Sequence, residues 1–100
     1  MASHIISIGM KRTTTKQIPE IEDIEAVACA VQNIYLSVAA YGIGGYWTTG
    51  GITYLERAKY HFGLDERDKL LGFFYIGQVA IPSPGGKRKP LEESVEWITG

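Results

Sequence analysis

The sequence has little cysteine, little net charge and no long apolar run, and each shortage excludes a class of protein. A single cysteine, Cys29, rules out an intrachain disulfide, which fits a reducing compartment. A formal net charge of −1 gives no electrostatic attraction to nucleic acid or to acidic membranes. No apolar run reaches the roughly 20 residues that span a bilayer, and no signal-peptide pattern is found. We therefore expect a cytoplasmic protein of one domain, residues 1–100, without nucleic-acid or membrane partners.

The usual patterns of catalytic and metal sites are also missing. His4 and His61 have no partners at metal-ligand spacing, and no serine lies in a nucleophile elbow. Cys29 lies among alanines and valines, so a buried, inert thiol is expected. The acidic residues from Glu20 to Glu25 are expected to cap a helix, with Asp23 as the N-cap; a catalytic carboxylate pair is the alternative. We predict no metal site and name no catalytic side chain.

The sequence does contain a long apolar helix, predicted from about Asp23 to Tyr41. Apolar residues recur there at helical spacing, and they are Ile24, Val27, Ala28, Val31, Ile34, Tyr35 and Val38. A helix that is apolar on nearly all sides exposes too much apolar area to lie on a surface. It is therefore expected to be covered on several faces, by the rest of the chain or by a partner. Gly42 is expected to end it, since glycine tolerates positive φ.

A glycine-rich loop follows the helix, with the sequence GIGGYWTTGG over residues 42–51. It is not a dinucleotide fingerprint, because its sixth position is Trp47 and it follows a helix; nor is it a P-loop. The backbone amides from Thr48 to Gly51 precede a second predicted helix and suit an anion or an electron-rich heteroatom. Trp47 suits packing on an aromatic ligand. A tight turn with a core tryptophan is the alternative, and the pattern does not choose between them.

Two apolar strands, a second helix and a basic loop complete the predicted elements. The run from His4 to Met10 is expected to be a buried strand, and the run from Leu70 to Val79 a central strand covered on both faces. The second helix is predicted over Ile52 to Phe62, closed by Gly63. The pattern alone predicts that the basic residues 87–89 are solvated charges, and a phosphate-binding site is the alternative. With so few elements, the sheet is expected to need more strands than this chain supplies.

With these residues in view, the chain resembles the C-terminal half of the nitroreductase family of flavin enzymes. The resemblance runs through the helix and glycine loop, AVACAVQNIYLSVAAYGIGGYWTTG, and continues through the strand FFYIGQV and the basic loop. It covers roughly residues 4–97. Its most specific part is the helix with Gln32 and Asn33, followed by a Gly-Ile-Gly turn and a tryptophan.

The resemblance implies an α+β fold, with a mixed sheet flanked by helices and the long helix at the interface of an obligate homodimer. It implies FMN as the cofactor, bound at that interface. It also implies hydride transfer from NAD(P)H through FMN to nitroaromatic or quinone-like acceptors.

Residue by residue, the resemblance implies a cofactor site in two parts. Thr49 and Gly50 fall where backbone amides of the family meet the reactive nitrogen and adjacent carbonyl of the flavin, and amide donors there stabilise negative charge on the reduced ring. Lys87 and Lys89 fall on a pair that contacts the FMN phosphate. The side chains of Trp47 and Thr48 would line the same wall of the site. The implied cofactor-binding residues are Trp47, Thr48, Thr49, Gly50, Lys87 and Lys89.

One family feature is missing from this sequence. No Arg-x-Ser-x-Arg-type segment is present, the segment with which the N-terminal half of the family grips the phosphate and ribityl chain. Family members are also considerably longer. The chain is therefore expected to be the C-terminal portion of a nitroreductase-like domain, as a truncated form, a proteolytic remnant or a natural short relative. The alternative function is a non-catalytic, dimer-forming α+β module without a cofactor.

Overall fold

A computed structural model describes residues 2–100 of the chain. Its elements, in order, are strand β1 (Ala2–Met10), helix α1 (Glu20–Ala40), strand β2 (Gly44–Thr48), helix α2 (Glu56–His61), strand β3 (Lys69–Gly77) and a 3₁₀ turn (Leu91–Glu93). The strands form one sheet in the order β1-β3-β2, antiparallel throughout. The central position predicted for the last strand is therefore confirmed, whereas a mixed sheet is not found among the strands of residues 2–100.

Helix α1 begins earlier than predicted and ends where predicted. Its N-cap is Pro19, whose φ of −56° suits the start of a helix. Asp23 therefore lies inside the helix, and the prediction that it is the N-cap is wrong: its carboxylate binds Arg12 and Thr13 instead. Gly42, just past the helix end, has a φ of +70°, as expected of a residue in that position. No helix within residues 2–100 is long and apolar enough to cross a membrane.

One face of the sheet packs on α1. The buried centre of this contact is formed by Ile8, Val31 and Phe74. Partly buried side chains surround it: Val27, Ile34, Tyr35, Val38, Trp47, Leu71 and Ile76. Of the residues of α1, only Val31 is buried. The helix is thus covered along one side within the chain, and the predicted coverage on several faces is not supplied by the chain itself.

The middle strand, β3, contains a bulge. Its pairing with β1 skips Leu71, so that one extra residue is accommodated on β3. The next residue, Gly72, has a φ of +119°, and a Cβ at this position would lie 2.4 Å from the backbone oxygen of Thr48. Glycine is therefore required both by the backbone conformation and by the close approach of β2.

Helix α2 is shorter than predicted and packs through few residues. Ala58 is buried with Leu64 and Leu70 in a second cluster, whereas Ile52 and Leu55, at the start of the predicted helix, are exposed. The residues before Glu56 form turns, and the extended backbone of Leu55 separates them from the helix. The loop after the helix is held by the buried Lys59 amine, and Gly63 has the positive φ (+79°) predicted for it.

Residues 78–100 leave the body of the molecule. They contain only the 3₁₀ turn Leu91–Glu93, and every one of them is exposed. The radius of gyration is 17.1 Å, compared with about 13 Å for a compact domain of this length. The exposed side chains include Trp97 and Ile98, at 84% and 93% exposure. The chain therefore does not bury its apolar tail against itself.

Candidate functional site

The predicted glycine loop contains a strand. Only a short turn follows α1, and β2 begins at Gly44. A Cβ at Gly45 would lie 2.7 Å from the ring of Phe74 and 2.9 Å from Val38. The glycine therefore lets this edge strand approach both the middle strand and α1. Sequence reasoning missed the strand because paired glycines are depleted in strands, although the following Tyr-Trp-Thr favours one.

The loop after β2 carries the candidate backbone donors. The N–H of Gly50 donates to Oγ1 of Thr48 at 3.3 Å, and Oγ1 of Thr53 donates to the carbonyl of Gly50 at 2.9 Å. Within residues 2–100, the N–H groups of Thr49 and Gly51 make no hydrogen bond. Turn residues separate this loop from α2, so the donors are not at a helix N-terminus, contrary to the interpretation of the pattern. The N–H groups of Thr49 and Gly51 are nonetheless unused donors beside a cavity.

That cavity lies on the face of the sheet opposite α1 and has a volume of about 700 Å³. It is lined by Ile5 and Ser7 from β1, Phe73 and Tyr75 from β3, Phe62 after α2, and Thr48, Gly50, Gly51 and Ile52 from the loop region. Its floor is mainly apolar and aromatic, and its rim carries the backbone donors. A pocket of this size and lining suits a flat, mostly apolar ligand with polar atoms at one edge.

Trp47 lies on the other face of the sheet. Its Nε1–H donates to the carbonyl of Leu71 at 2.9 Å, and its backbone N–H donates to the hydroxyl of Tyr35 at 2.7 Å. Successive side chains of a strand point to opposite faces. The indole thus packs in the α1 cluster while Thr48 lines the cavity, and the expectation that the two side chains share a wall is corrected.

The predicted phosphate contacts lie away from this cavity. Lys87 and Lys89 are exposed in the segment that follows β3, and neither lines the cavity. The structure thus brings together Thr48 and Gly50, with the amide of Thr49 between them along the chain. It does not bring the two lysines to them within one chain, so their role in binding a phosphate stays a prediction.

A partly buried polar network, which sequence reasoning missed, joins the segment after β1, helix α1 and the loop before β3. Asp23 accepts hydrogen bonds from Oγ1 (2.6 Å) and N–H (3.0 Å) of Thr13, and from Arg12. These bonds, that of the threonine hydroxyl first, hold the pKa of the Asp23 carboxyl below its usual value. Asp68 accepts from the backbone N–H groups of Asp65 and Arg12, each at 2.9 Å, and they likewise lower its pKa. The network holds the start of α1 against the sheet.

The remaining reactive side chains form no site. Cys29 is exposed, so its predicted burial is wrong: α1 meets the sheet along one side only, and Cys29 is on another. Within residues 2–100, no group of three or more His, Cys, Asp or Glu side chains is arranged to hold a metal ion. The cavity face with its loop donors is thus the candidate site.

Comparisons with known proteins point to one family. The profile described as "Nitroreductase family" matches residues 2–78. A curated protein of Escherichia coli K12, named "Putative NAD(P)H nitroreductase YdjA", is 33% identical over 73 residues, and its counterpart in strain O157:H7 matches equally. A crystal structure of a nitroreductase-like family protein from Bacillus cereus matches with a TM-score of 0.79, at 29% identity, over 96% of this chain. This chain covers 40% of the curated relatives and 51% of the Bacillus protein.

Proposed function

This chain belongs to the nitroreductase family, and from that premise we propose that it acts in an FMN-dependent oxidoreductase. When bound, FMN would supply the hydride chemistry, taking hydride from NAD(P)H and passing it to a nitroaromatic or quinone-like acceptor. The single observation that carries the proposal is the pair of unused backbone donors, the N–H groups of Thr49 and Gly51, at the rim of an aromatic-floored cavity of about 700 Å³.

The residues of the cavity fit the edge and face of a flavin. The N–H groups of Thr49 and Gly51 have no acceptor within residues 2–100, and that of Gly50 makes only a long bond of 3.3 Å. Fixed amide donors of this kind stabilise negative charge at a heteroatom placed against them. Phe73 and Tyr75 supply a flat apolar surface and exclude water from one side of the ring.

Lys87 and Lys89 are proposed to bind the phosphate of the cofactor. Both are exposed, and no ion pair within residues 2–100 engages either of them. Two flexible ammonium groups in a loop framed by proline and glycine suit a terminal phosphate, which takes up charge-assisted hydrogen bonds. In this proposal the amides orient the ring and the lysines hold the phosphate.

We also propose that the protein is a homodimer in which α1 lies at the interface. Leu36 on α1 and Tyr41 just after it are 60% and 83% exposed, and Ile21 on the same helix is also exposed. Apolar exposure on this scale, together with the extended tail, is typical of an interface and not of a monomer surface. A second copy would cover the faces of α1 that the chain leaves open.

The visible absorption spectrum tests cofactor binding. After incubation with FMN and desalting, the chain is expected to retain flavin bands, which NADH or NADPH then bleaches. Lys87→Ala is expected to weaken FMN binding about tenfold to a hundredfold, because one charge-assisted hydrogen bond is lost. Lys16→Ala, the same change at an exposed lysine outside the site, is the matched control. A wild-type chain that retains no flavin would contradict the proposal.

Sedimentation velocity tests the homodimer. The wild-type chain is expected to sediment as a dimer at micromolar concentration, and Leu36→Glu to raise the dissociation constant at least about tenfold, because it buries a charge. Ser83→Glu, which adds the same charge in the exposed loop, is expected to leave the constant unchanged. A monomeric wild-type chain would be the opposing outcome.

A second candidate function is a dimer-forming α+β module without a cofactor. It is favoured by the position of Lys87 and Lys89 away from the cavity, and by the missing arginine-rich phosphate segment. The two candidates differ in one observation: a dimer that retains no flavin supports the second, and a dimer that retains flavin supports the first.

A further inference from the structure

We infer that Tyr35 is a positioning residue for the amide-bearing loop of the candidate site, residues 48–51; this inference rests on the proposed function. Strand β2 is at the edge of the sheet, so part of its backbone has no neighbouring strand to bond. At Trp47, the last residue but one of β2, the backbone N–H donates to the phenolic oxygen of Tyr35 at 2.7 Å. A side chain of α1 thus takes the place of a neighbouring strand at this point.

The phenol is itself held firmly. The ring of Tyr35 meets the ring of Phe74 edge-on, with centroids 4.8 Å apart and planes at 75°. Phe74 is fully buried and is the cross-strand partner of Trp47. The hydroxyl of Tyr35 therefore has little freedom to follow a shift of β2, and the hydrogen bond fixes the height of the strand relative to α1.

Two further contacts hold the end of β2, and together with the bond to Tyr35 they form what we call the clamp. The indole Nε1–H of Trp47 donates to the carbonyl of Leu71 at 2.9 Å. The carbonyl of Thr48 lies so close to Gly72 that no Cβ fits between them. The strand end is thus fixed by α1 and by β3. The unused donors begin at the very next residue, Thr49.

A donor stabilises a developing charge only if its direction is set before the charge appears. The direction of the Thr49 amide is set by the backbone of Thr48, and hence by the clamp. Removal of the Tyr35 hydroxyl leaves the N–H of Trp47 without an acceptor and releases one of the fixed points. We expect the loop donors to spread over a wider range of directions, so that they bind the ring edge less well.

The test compares Tyr35→Phe with Tyr60→Phe, the same change at an exposed tyrosine that makes no side-chain hydrogen bond within residues 2–100. The first measurement needs no cofactor: amide hydrogen exchange of Trp47 is expected to be about fivefold faster in Tyr35→Phe, as expected for loss of one neutral hydrogen bond. FMN binding is expected to be weaker by a similar factor. At saturating FMN, the visible band of the bound flavin is expected to shift, a change that a purely structural role would not produce.

The outcomes distinguish a failure of the proposed function from a failure of the positioning role of Tyr35. A wild-type chain that binds no FMN overturns the proposed function and the inference with it. Wild-type binding with unchanged affinity and band position in Tyr35→Phe overturns the positioning role alone, as does unchanged exchange at Trp47. The phenylalanine keeps the ring contact with Phe74. Should this variant fail to fold, site-specific replacement of Tyr35 by 3-fluorotyrosine, a weaker acceptor of the same shape, is expected to change all three readouts in the same direction.

Discussion

Residues 2–77 form a core of buried apolar side chains, whereas residues 78–100 bury none of theirs. In the first region Phe74 is completely buried, whereas in the second Trp97 and Ile98 are 84% and 93% exposed. The difference lies in the neighbours that the chain supplies. The first region folds back on itself through two antiparallel pairings, while the second pairs with nothing. Apolar character alone therefore does not decide burial; a partner surface within reach does.

The structural match to a solved relative extends into the tail. The match to the Bacillus cereus structure covers 96% of this chain, and so includes most of residues 78–100. The family profile, in contrast, ends at residue 78. The structural match thus extends beyond the residues that the profile matches. This contrast agrees with the proposed homodimer, in which the tail would contact something other than its own body.

The largest loss of stability is expected for a substitution at the centre of the first region. Phe74→Ala is expected to lower the free energy of unfolding by about 4 kcal/mol, because it leaves a cavity between the sheet and α1. Phe73→Ala, on the neighbouring half-buried side chain of the opposite face, is expected to cost about half as much. Urea unfolding measures both. Equal losses would mean that the two faces of the sheet are equally covered.

Gly72→Ala is expected to cost about 3 kcal/mol, since the new Cβ meets the carbonyl of Thr48 and the backbone is held at positive φ. Gly85→Ala is the matched change in the tail, where a Cβ meets nothing within 4 Å, and its effect is expected to stay within about 0.5 kcal/mol. Thermal unfolding compares the two variants. A tolerated Gly72→Ala would show that the bulge is not held as described.

Acid is expected to destabilise the first region through its polar network. The carboxyl pKa values of Asp23 and Asp68 are lowered from 3.8 in the folded chain. Their contribution to stability is therefore present above about pH 4 and is lost as the pH falls through the folded pKa values. Unfolding measured from about pH 7 to about pH 2 is expected to show this loss, with a flatter profile for Asp68→Asn. Glu92→Gln, the same charge change in the tail, is expected to keep the wild-type profile.

The smallest effect is expected in the second region. Trp97→Ala is expected to change the stability of the protomer by less than about 0.5 kcal/mol, because the side chain is exposed. The measurement is made at protein concentrations low enough to dissociate a dimer. At higher concentration the same variant is expected to weaken dimerisation. A large loss in the isolated protomer would show that Trp97 packs on its own chain and would remove the contrast between the two regions.

Much of the secondary structure follows from local pattern. The predicted strand His4–Met10 is found as Ala2–Met10, and the predicted strand Leu70–Val79 as Lys69–Gly77. The predicted burial of the first strand is wrong, because only Ile8 and Met10 of it are buried. Helix α1 is longer than predicted at its start, because Pro19 and not Asp23 is the cap. Strand β2 was not predicted, because it begins with two glycines. Their close contacts with neighbouring elements explain why glycine is needed there, and no sequence pattern reveals these contacts. The burial of Cys29 was wrongly predicted, because which side of a nearly uniform apolar helix faces the sheet cannot be read from its composition.

The features of the candidate site also fall into two groups, those predicted from the sequence and those decided by tertiary structure. The family was available from the sequence through its resemblance. Strands β1 and β3, helix α1 and the positive φ of Gly42 and Gly63 were available because periodicity and backbone preference act between residues a few positions apart. The opposite faces of Trp47 and Thr48, the cavity, and the bond from Trp47 to Tyr35 were decided by tertiary structure. Each depends on strand pairing and on contacts between residues distant along the chain, as in the bond of Arg12 to Asp68, 56 positions apart. Such contacts are selected by the packing of the whole sheet against α1, a property that no local stretch carries.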